Sequence, residues 1–299
     1  MYKLVIHGGA GDLSKKVLNK VNKIFKNDIE KKYEDALKEC CNIGEKILEN
    51  NGSAKKAVIE CITYLENNEL FNSGKGSSCD IKNRYRLEAC IMDGKDLSYG
   101  SCALINRVKN PIKLADKIMT SKNISKFIAG TDETYNIAKK NNLDLVRETY
   151  YKSNYRTKLN KINKDHNYGT VGVVALDKKG NIVAGTSTGG LYNKELGRIG
   201  DTAIPNISTF ADNKYGGISL TGKGEYIIKK TIAYDIIARM KYKNISMKKA
   251  LNELNNELEK NKFGVIGIDK INNECCTYFN TKRMFRGVVD KKNVNVAIW

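Results

Sequence analysis

Histidine is nearly missing, with two in 299 residues, so neither a histidine-rich metal site nor a histidine-driven nucleophile has much to draw on. Cys-x-x-Cys spacing is also missing. Of eight cysteines, Cys40-Cys41 and Cys275-Cys276 are adjacent pairs, and Cys61, Cys79, Cys90 and Cys102 are scattered. That pattern excludes the common zinc and redox motifs and predicts reduced, mostly buried thiols. No apolar run approaches the roughly 18 residues of a membrane span, so no membrane partner is expected. The opening "MYKLVIHGGAGDLSKK" has too short an apolar stretch for a secretory signal, and a cytoplasmic location is expected. A net charge of +19 invites a nucleic-acid reading. The lysines are spread among asparagines and acids, however, and no stretch interleaves arginine with aromatics. Nucleic acid is therefore not an expected partner. The longest basic patch, "NYRTKLNKINKDHNYG", has no apolar face and reads as a solvated linker.

What is present is enough for a large core, 41% apolar residues. A strand at 2–6 leads into a glycine turn, "HGGAG". Helical periodicity covers 33–49 and 54–65, and two strand-like runs follow, "RLEACIMDG" and "SCALINRV". Further helices lie near 112–119 and 131–140. The second half opens on a hairpin, "GTVGVVALDKKGNIVAGTSTGG". A strand at 216–220 then meets "TGKGE", which opens a helix over 226–240. A second helix, 246–259, has Ser246 as its N-cap. Strands at 263–269, 276–280 and 294–298 close the chain. No internal repeat is found, and strands flanked by helices in both halves predict layered sheets covered by helices.

Four features carry chemistry. Gly169-Thr170 stands at the mouth of the first hairpin strand. A cut between them would give Thr170 a hydroxyl nucleophile and an α-amine of pKa about 7.7–8.0, a base near neutral pH that needs no histidine. Gly169 tolerates the strained backbone that attack by Thr170 on the preceding carbonyl requires. Pairing through the turn at 178–181 would bring Thr186 and Thr188 beside Thr170, where a hydroxyl orients the nucleophile. "GRIGD" offers Arg198 as a fork for a carboxylate and Asp201 as an acceptor for an ammonium. "TGKGE" offers the Thr221 hydroxyl and the Gly222 amide to an oxyanion, at a helix N-terminus. Taken singly, each feature has an ordinary reading as turn, β-propensity or surface ion pair.

In order, "HGGAG", "FNSGKGS", "GTVGVVALD", "TSTGG", "GRIGD" and "LTGKGE" resemble the plant-type asparaginase and isoaspartyl peptidase family of N-terminal-nucleophile hydrolases. The resemblance runs from His7 to about Asn280. It implies an α+β fold, a four-layer αββα sandwich formed by the whole chain, 1–299. It implies self-cleavage into an α chain, 1–169, and a β chain, 170–299, which stay together and pair as a dimer of heterodimers. Thr170 would be the nucleophile and Thr188 its hydroxyl neighbour. Arg198 would bind the substrate carboxylate and Asp201 its amine, with Gly224 contacting the amine through its carbonyl. Thr221 and Gly222 would form the oxyanion hole. Carried across, the backbone carbonyls of Leu65, Glu66, Asn68, Phe71, Ser73 and Lys75 would hold a structural sodium ion, and no catalytic cofactor is implied.

Three departures stand out. Asn206, Ile207 and Ser208 occupy a segment that is commonly Gly-Ala-Gly in the family, where bulk would narrow the pocket or shift a strand. Pro205 resembles glycosylasparaginases instead. Lys223, at a variable position, would favour acidic substrates. The expected substrates are isoaspartyl dipeptides and L-asparagine. Glycosylasparaginase is the alternative that Pro205 favours, while "TSTGG" and the placing of the one tryptophan at Trp299 oppose it. An uncleaved, non-catalytic basic binding protein is the alternative of another class.

Overall fold

The computed structural model describes residues 1–11, 13–162 and 169–299. Before Thr170 the chain forms β1 (Lys3–Gly11), α1 (Lys15–Phe25), α2 (Ile29–Glu49), α3 (Ala54–Asn67), β2 (Leu87–Asp93), β3 (Tyr99–Ile105), α4 (Pro111–Thr120), β4 (Phe127–Ala129), α5 (Thr131–Lys140) and α6 (Asn154–Ile162). After it come β5 (Val171–Leu176), β6 (Ile182–Thr188), β7 (Thr209–Asp212), β8 (Gly216–Gly222), α7 (Gly224–Lys230), α8 (Ile232–Lys243), α9 (Met247–Glu257), β9 (Phe263–Asp269), β10 (Glu274–Phe279), β11 (Arg283–Asp290) and β12 (Asn293–Ala297).

Local sequence explains where the helices begin. Ser14, Asp28, Ser53 and Ser246 each accept a backbone N–H from the first turn of α1, α2, α3 and α9. Pro111 starts α4, where its missing N–H costs nothing. In α2, Tyr33, Leu37, Cys40, Cys41, Gly44 and Leu48 recur at helical spacing and are buried.

The strands form an eight-stranded sheet ordered β12-β11-β1-β5-β6-β2-β3-β4 and a four-stranded sheet ordered β10-β9-β8-β7. Helices α2, α3 and α4 cover one face of the large sheet, and α8 and α9 cover the far face of the small one. One apolar core joins helices to the large sheet, a second joins α8 and α9 to the small sheet, and a third lies between the sheets. The arrangement is the expected αββα sandwich. Strand β1, from before Thr170, pairs with β11 on one side and β5 on the other, both from after it.

Period-two alternation sets which side chains meet. On β5, Val171, Val173 and Ala175 join the helix-covered core, while Val174 and Leu176 join the core between the sheets. Both faces are buried, which is why this strand reads as a continuous apolar run.

Several expectations need correction. "HGGAG" is not a turn. Strand β1 runs through it, with a bulge between His7 and Gly9 that shifts the register by one residue. Helix α1 was not foreseen. The supposed solvated linker contains α6, which buries Tyr155, Arg156, Leu159 and Asn160; its final part, 163–168, lies outside the described residues. The helix expected over 226–240 breaks at Thr231, whose φ of 48° is left-handed. Strands β4, β7 and β11 were also missed. All eight cysteines are free thiols, six of them buried. Among the described residues, no helix is long and apolar enough to cross a membrane.

Candidate active site

Antiparallel pairing of β5 with β6 sets Val171 opposite Ser187 and Gly172 opposite Thr186. One step further, Thr188 comes opposite Thr170, and the Thr170 hydroxyl donates to the Thr188 hydroxyl oxygen at 3.2 Å. Thr188 also accepts from the Gly190 N–H at 3.0 Å. Thr186 lies on the same face but does not reach Thr170. Its hydroxyl bonds those of Thr209 and Ser219 at 2.6 and 2.8 Å, which corrects the expectation for that residue. Ser187 points the other way, to the carboxylate of Glu66.

The Thr170 N–H donates to the Thr221 hydroxyl oxygen at 3.3 Å, and the Ala10 N–H donates to the same oxygen at 3.2 Å. With both contacts accepted by that oxygen, the Thr221 proton stays free to donate. Gly222, Gly224, Arg198 and Asp201 line the same cavity with Gly169, Thr170, Thr188 and Gly190. Its volume is about 10 Å³, roughly one water's worth. Gly9 packs against the cleavage position, since a Cβ there would lie 2.7 Å from the Cα of Gly169.

Arg198 and Asp201 are brought together, but not as a direct ion pair. The Arg198 guanidinium meets Glu225 of α7 at 3.0 Å and faces Glu88 of β2 at 3.8 Å. Glu88 also accepts the Gly200 N–H at 2.9 Å. Gly224 closes on both site residues: a Cβ there would lie 2.6 Å from an Asp201 oxygen and 2.7 Å from Arg198. A side chain at 224 would push the ends of both out of place. Burial raises the Asp201 carboxyl from 3.8 to about 6, against the hydrogen bond from Ser208 and the pull of Arg198. Nearby, the Lys194 ammonium donates to the Arg86 and Gly189 carbonyls, and burial lowers it to about 8.

Residues 206–208, flagged as departures, are not among those that line the cavity. The Asn206 and Ile207 carbonyls accept the Tyr234 and Ala233 N–H groups at the start of α8, while the Ser208 hydroxyl donates to Asp201. Lys223 is the exposed N-cap of α7.

Sequence reasoning missed His7. It is fully buried, and its Nδ1 lies 2.9 Å from the Thr170 carbonyl oxygen. A carbonyl only accepts, so Nδ1 carries the proton, and Nε2 accepts from the Ser219 hydroxyl at 2.9 Å. Burial lowers this imidazole to about 3, so it is neutral. A chain of hydroxyls, Thr209, Thr186 and Ser219, thus ends on a ring that fixes the backbone of Thr170. A Cβ on Gly172 would overlap that ring and Ser219. Its rarity, one of two histidines, is the only mark it carries in the sequence; the strand pairing that brings it to Thr170 is not written there. Asn72 was also given no role. It donates to the Gly190 carbonyl at 2.8 Å, and its own carbonyl accepts the Gly189 N–H.

The turn at 65–76 is closed by its own hydrogen bonds. Asn68, Phe71 and Gly76 N–H groups donate to the Leu65, Asn68 and Ser73 carbonyls. The Glu66 and Phe71 carbonyl oxygens close on Gly74 and Gly76 so tightly that a Cβ on either glycine would overlap them. The donors there are neutral oxygens, the kind a hard cation takes. Among the described residues, no cluster of three His, Cys, Asp or Glu side chains is placed to hold a metal.

Known proteins are similar to this chain over most of its length. The chain is 31% identical over 334 residues to a probable isoaspartyl peptidase/L-asparaginase 2 of Arabidopsis thaliana, covering 100% of this chain and 99% of the relative. It is 32% identical over 304 residues to an isoaspartyl peptidase of Escherichia coli (strain K12), covering 95% and 91%. It is 36% identical over 244 residues to an isoaspartyl peptidase/L-asparaginase of Homo sapiens, covering 77% and 74%. A family model described as asparaginase matches residues 1–298, which takes in both sheets and every residue that lines the Thr170 cavity, and the chain belongs to that asparaginase family.

Proposed function

We propose that this protein cuts itself before Thr170 and then hydrolyses β-aspartyl amides, with L-asparagine and isoaspartyl dipeptides as substrates. The observation that carries the reading is the Thr170 hydroxyl, 3.2 Å from that of Thr188, in one cavity with Arg198, Asp201 and Gly224. The names of the Arabidopsis and human relatives support both substrates, and that of the E. coli relative supports the isoaspartyl dipeptides.

In the uncut chain, the Thr170 Oγ attacks the Gly169 carbonyl, the acyl group moves from nitrogen to oxygen, and water hydrolyses the ester. The products are the carboxylate of Gly169 and the free amine of Thr170. The cut precedes turnover, because only then does Thr170 carry the free amine that serves as its base. In the cut enzyme the α-amine takes the proton of its own hydroxyl, and Oγ attacks the substrate's side-chain carbonyl. Thr221 and Gly222 donate to the oxyanion. Ammonia or an amino acid leaves with a proton, and water releases aspartate from the Thr170 ester. Arg198 holds the substrate α-carboxylate, while Asp201 and the Gly224 carbonyl hold its ammonium. Substrate carboxylate would take the place of Glu225 on Arg198, and Lys223 adds attraction for acidic dipeptides.

The α and β chains stay associated and assemble as a dimer of heterodimers. Free, buried thiols support a cytoplasmic location. The carbonyls of Leu65, Glu66, Asn68, Phe71, Ser73 and Lys75 hold a structural sodium ion; replacing sodium with choline should then lower the melting temperature, and an unchanged value would dismiss the ion.

Intact mass of fresh protein beside a Thr170→Ala variant tests the main reading. Two fragments that divide between Gly169 and Thr170, and an uncut variant, are expected. A wild type that stays whole and inactive would favour a binding protein. Comparing asparagine, a β-aspartyl dipeptide and glycosylasparagine then ranks the leaving groups, and preference for the last would move the assignment to glycosylasparaginase.

A further inference from the structure

We infer that Ser208 is a positioning residue for the substrate's ammonium group: its hydroxyl ties back one oxygen of Asp201 and leaves the other aimed at the cavity. The inference rests on the proposed role of Asp201 and adds a residue to it.

The geometry is specific. Ser208 is fully buried, and its hydroxyl donates to Asp201 Oδ2. Its backbone carbonyl accepts the Leu220 N–H at 2.9 Å, so the hydroxyl is anchored to strand β8 rather than to a free loop. Asp201 Oδ1 faces Gly224, where a Cβ would lie 2.6 Å away. One oxygen is thus held and the other presented. The 3₁₀ turn at Asp201–Ala203 holds the backbone of Asp201, and the Ser208 hydroxyl, beside Asp201's own backbone N–H, fixes the side-chain torsion.

Charge supports the same role. The titratable groups around Asp201 are Arg198 from its own loop, Glu88 from β2, and Glu225 from α7 across Arg198, with Lys194 beyond Gly190. Gly224 of α7 and Ser208, before β7, bring no charge. After the cut, the Thr170 amine joins this set. Burial and Glu88 push Asp201 toward its neutral form, whereas the Ser208 hydrogen bond and Arg198 oppose them. Without the hydroxyl, Oδ2 would be left buried without its donor, and the carboxyl would take a proton near neutral pH. A neutral Asp201 binds an ammonium poorly. Ser208 therefore sets both the aim of Asp201 and the pH range over which the site recognises an α-amino substrate.

The test uses the self-cleaved enzyme, wild type and Ser208→Ala, between pH 5.5 and 8.5. KM for L-asparagine is measured beside the inhibition constant of succinate, which keeps the carboxylates of aspartate but lacks its amine. A shift of about one pH unit in Asp201 should raise KM for asparagine about fivefold at pH 6 and leave it near wild type at pH 8.5. Succinate inhibition and kcat should stay within about twofold of wild type on the same account. An unchanged KM at pH 6 would overturn the inference. So would a rise that persists at pH 8.5 and weakens succinate equally, because that describes a damaged pocket. If Ser208→Ala does not accumulate folded and cut, Ser208→Gly carries the same comparison, and Ser208→Thr should retain the wild-type profile. A wild type with no activity on asparagine or β-aspartyl dipeptide sinks the functional reading itself; an active wild type with an unmoved variant sinks only this inference.

Discussion

At the scale of single residues, the site depends on atoms that are missing as much as on those present. Gly224 is the clearest case, because a Cβ there would press on the ends of both Asp201 and Arg198 and move them. Gly224→Ala should raise KM for asparagine about tenfold or more while changing kcat far less, the pattern of lost substrate binding; steady-state kinetics on the cut variant decides it, and an unmoved KM would show that the pair does not hold the substrate. The residues whose gathering at one cavity could be read in advance were those with a distinctive chemical type at a distinctive place. Thr170 behind Gly169 and the Arg198–Asp201 spacing belong there. His7 was not legible, because its function depends on a neutral, buried ring against a backbone carbonyl, and neither burial nor a partner 163 residues away is written in local sequence. Ser208 was visible as a departure, but its direction toward Asp201 comes only from the loop before β7.

At the scale of elements, the hairpin β5–β6 was legible because burial on both faces leaves an unbroken apolar run. Helix α6 was not, since part of its buried face is polar: Arg156 donates to the Gly76 and Leu70 carbonyls instead of reaching water. Strand β11 was hidden by its arginines for a similar reason. Arg283 donates to the Leu13 carbonyl and stacks on Phe285. Polar residues that satisfy each other inside the fold defeat a reading that equates charge with surface. Glu66 is a third example and supports a prediction. It joins the end of α3 to the start of α4 through the Ile112 N–H and Asn110, and to β6 through Ser187. Burial raises its carboxyl from 4.5 to about 7 against those hydrogen bonds. Between these values the folded state holds the proton and the unfolded state has lost it. The resulting stability is complete below pH 4.5 and is lost as pH rises through 7. Glu66→Gln lacks this titration, so its melting temperature should gain on the wild type between pH 5 and 7.5. A constant difference across that range would refute the assignment.

At the scale of the whole molecule, the layered architecture was readable because alternation of strand and helix permits few arrangements. The strand order was not, since β1 finds its neighbours at opposite ends of the chain. That placement has a consequence once the bond before Thr170 is gone. The loop that guided β1 between β5 and β11 no longer tethers them, so what had been a closure within one molecule becomes a meeting of two. Refolding of Thr170→Ala from denaturant should proceed at a rate independent of protein concentration, whereas the cut enzyme should regain activity more slowly and less completely on dilution. Equal recovery at all concentrations would mean that the fragments never part. The cut enzyme would then last as long as its unfolding is slow, protected by a barrier to leaving the native state, with no ready route back.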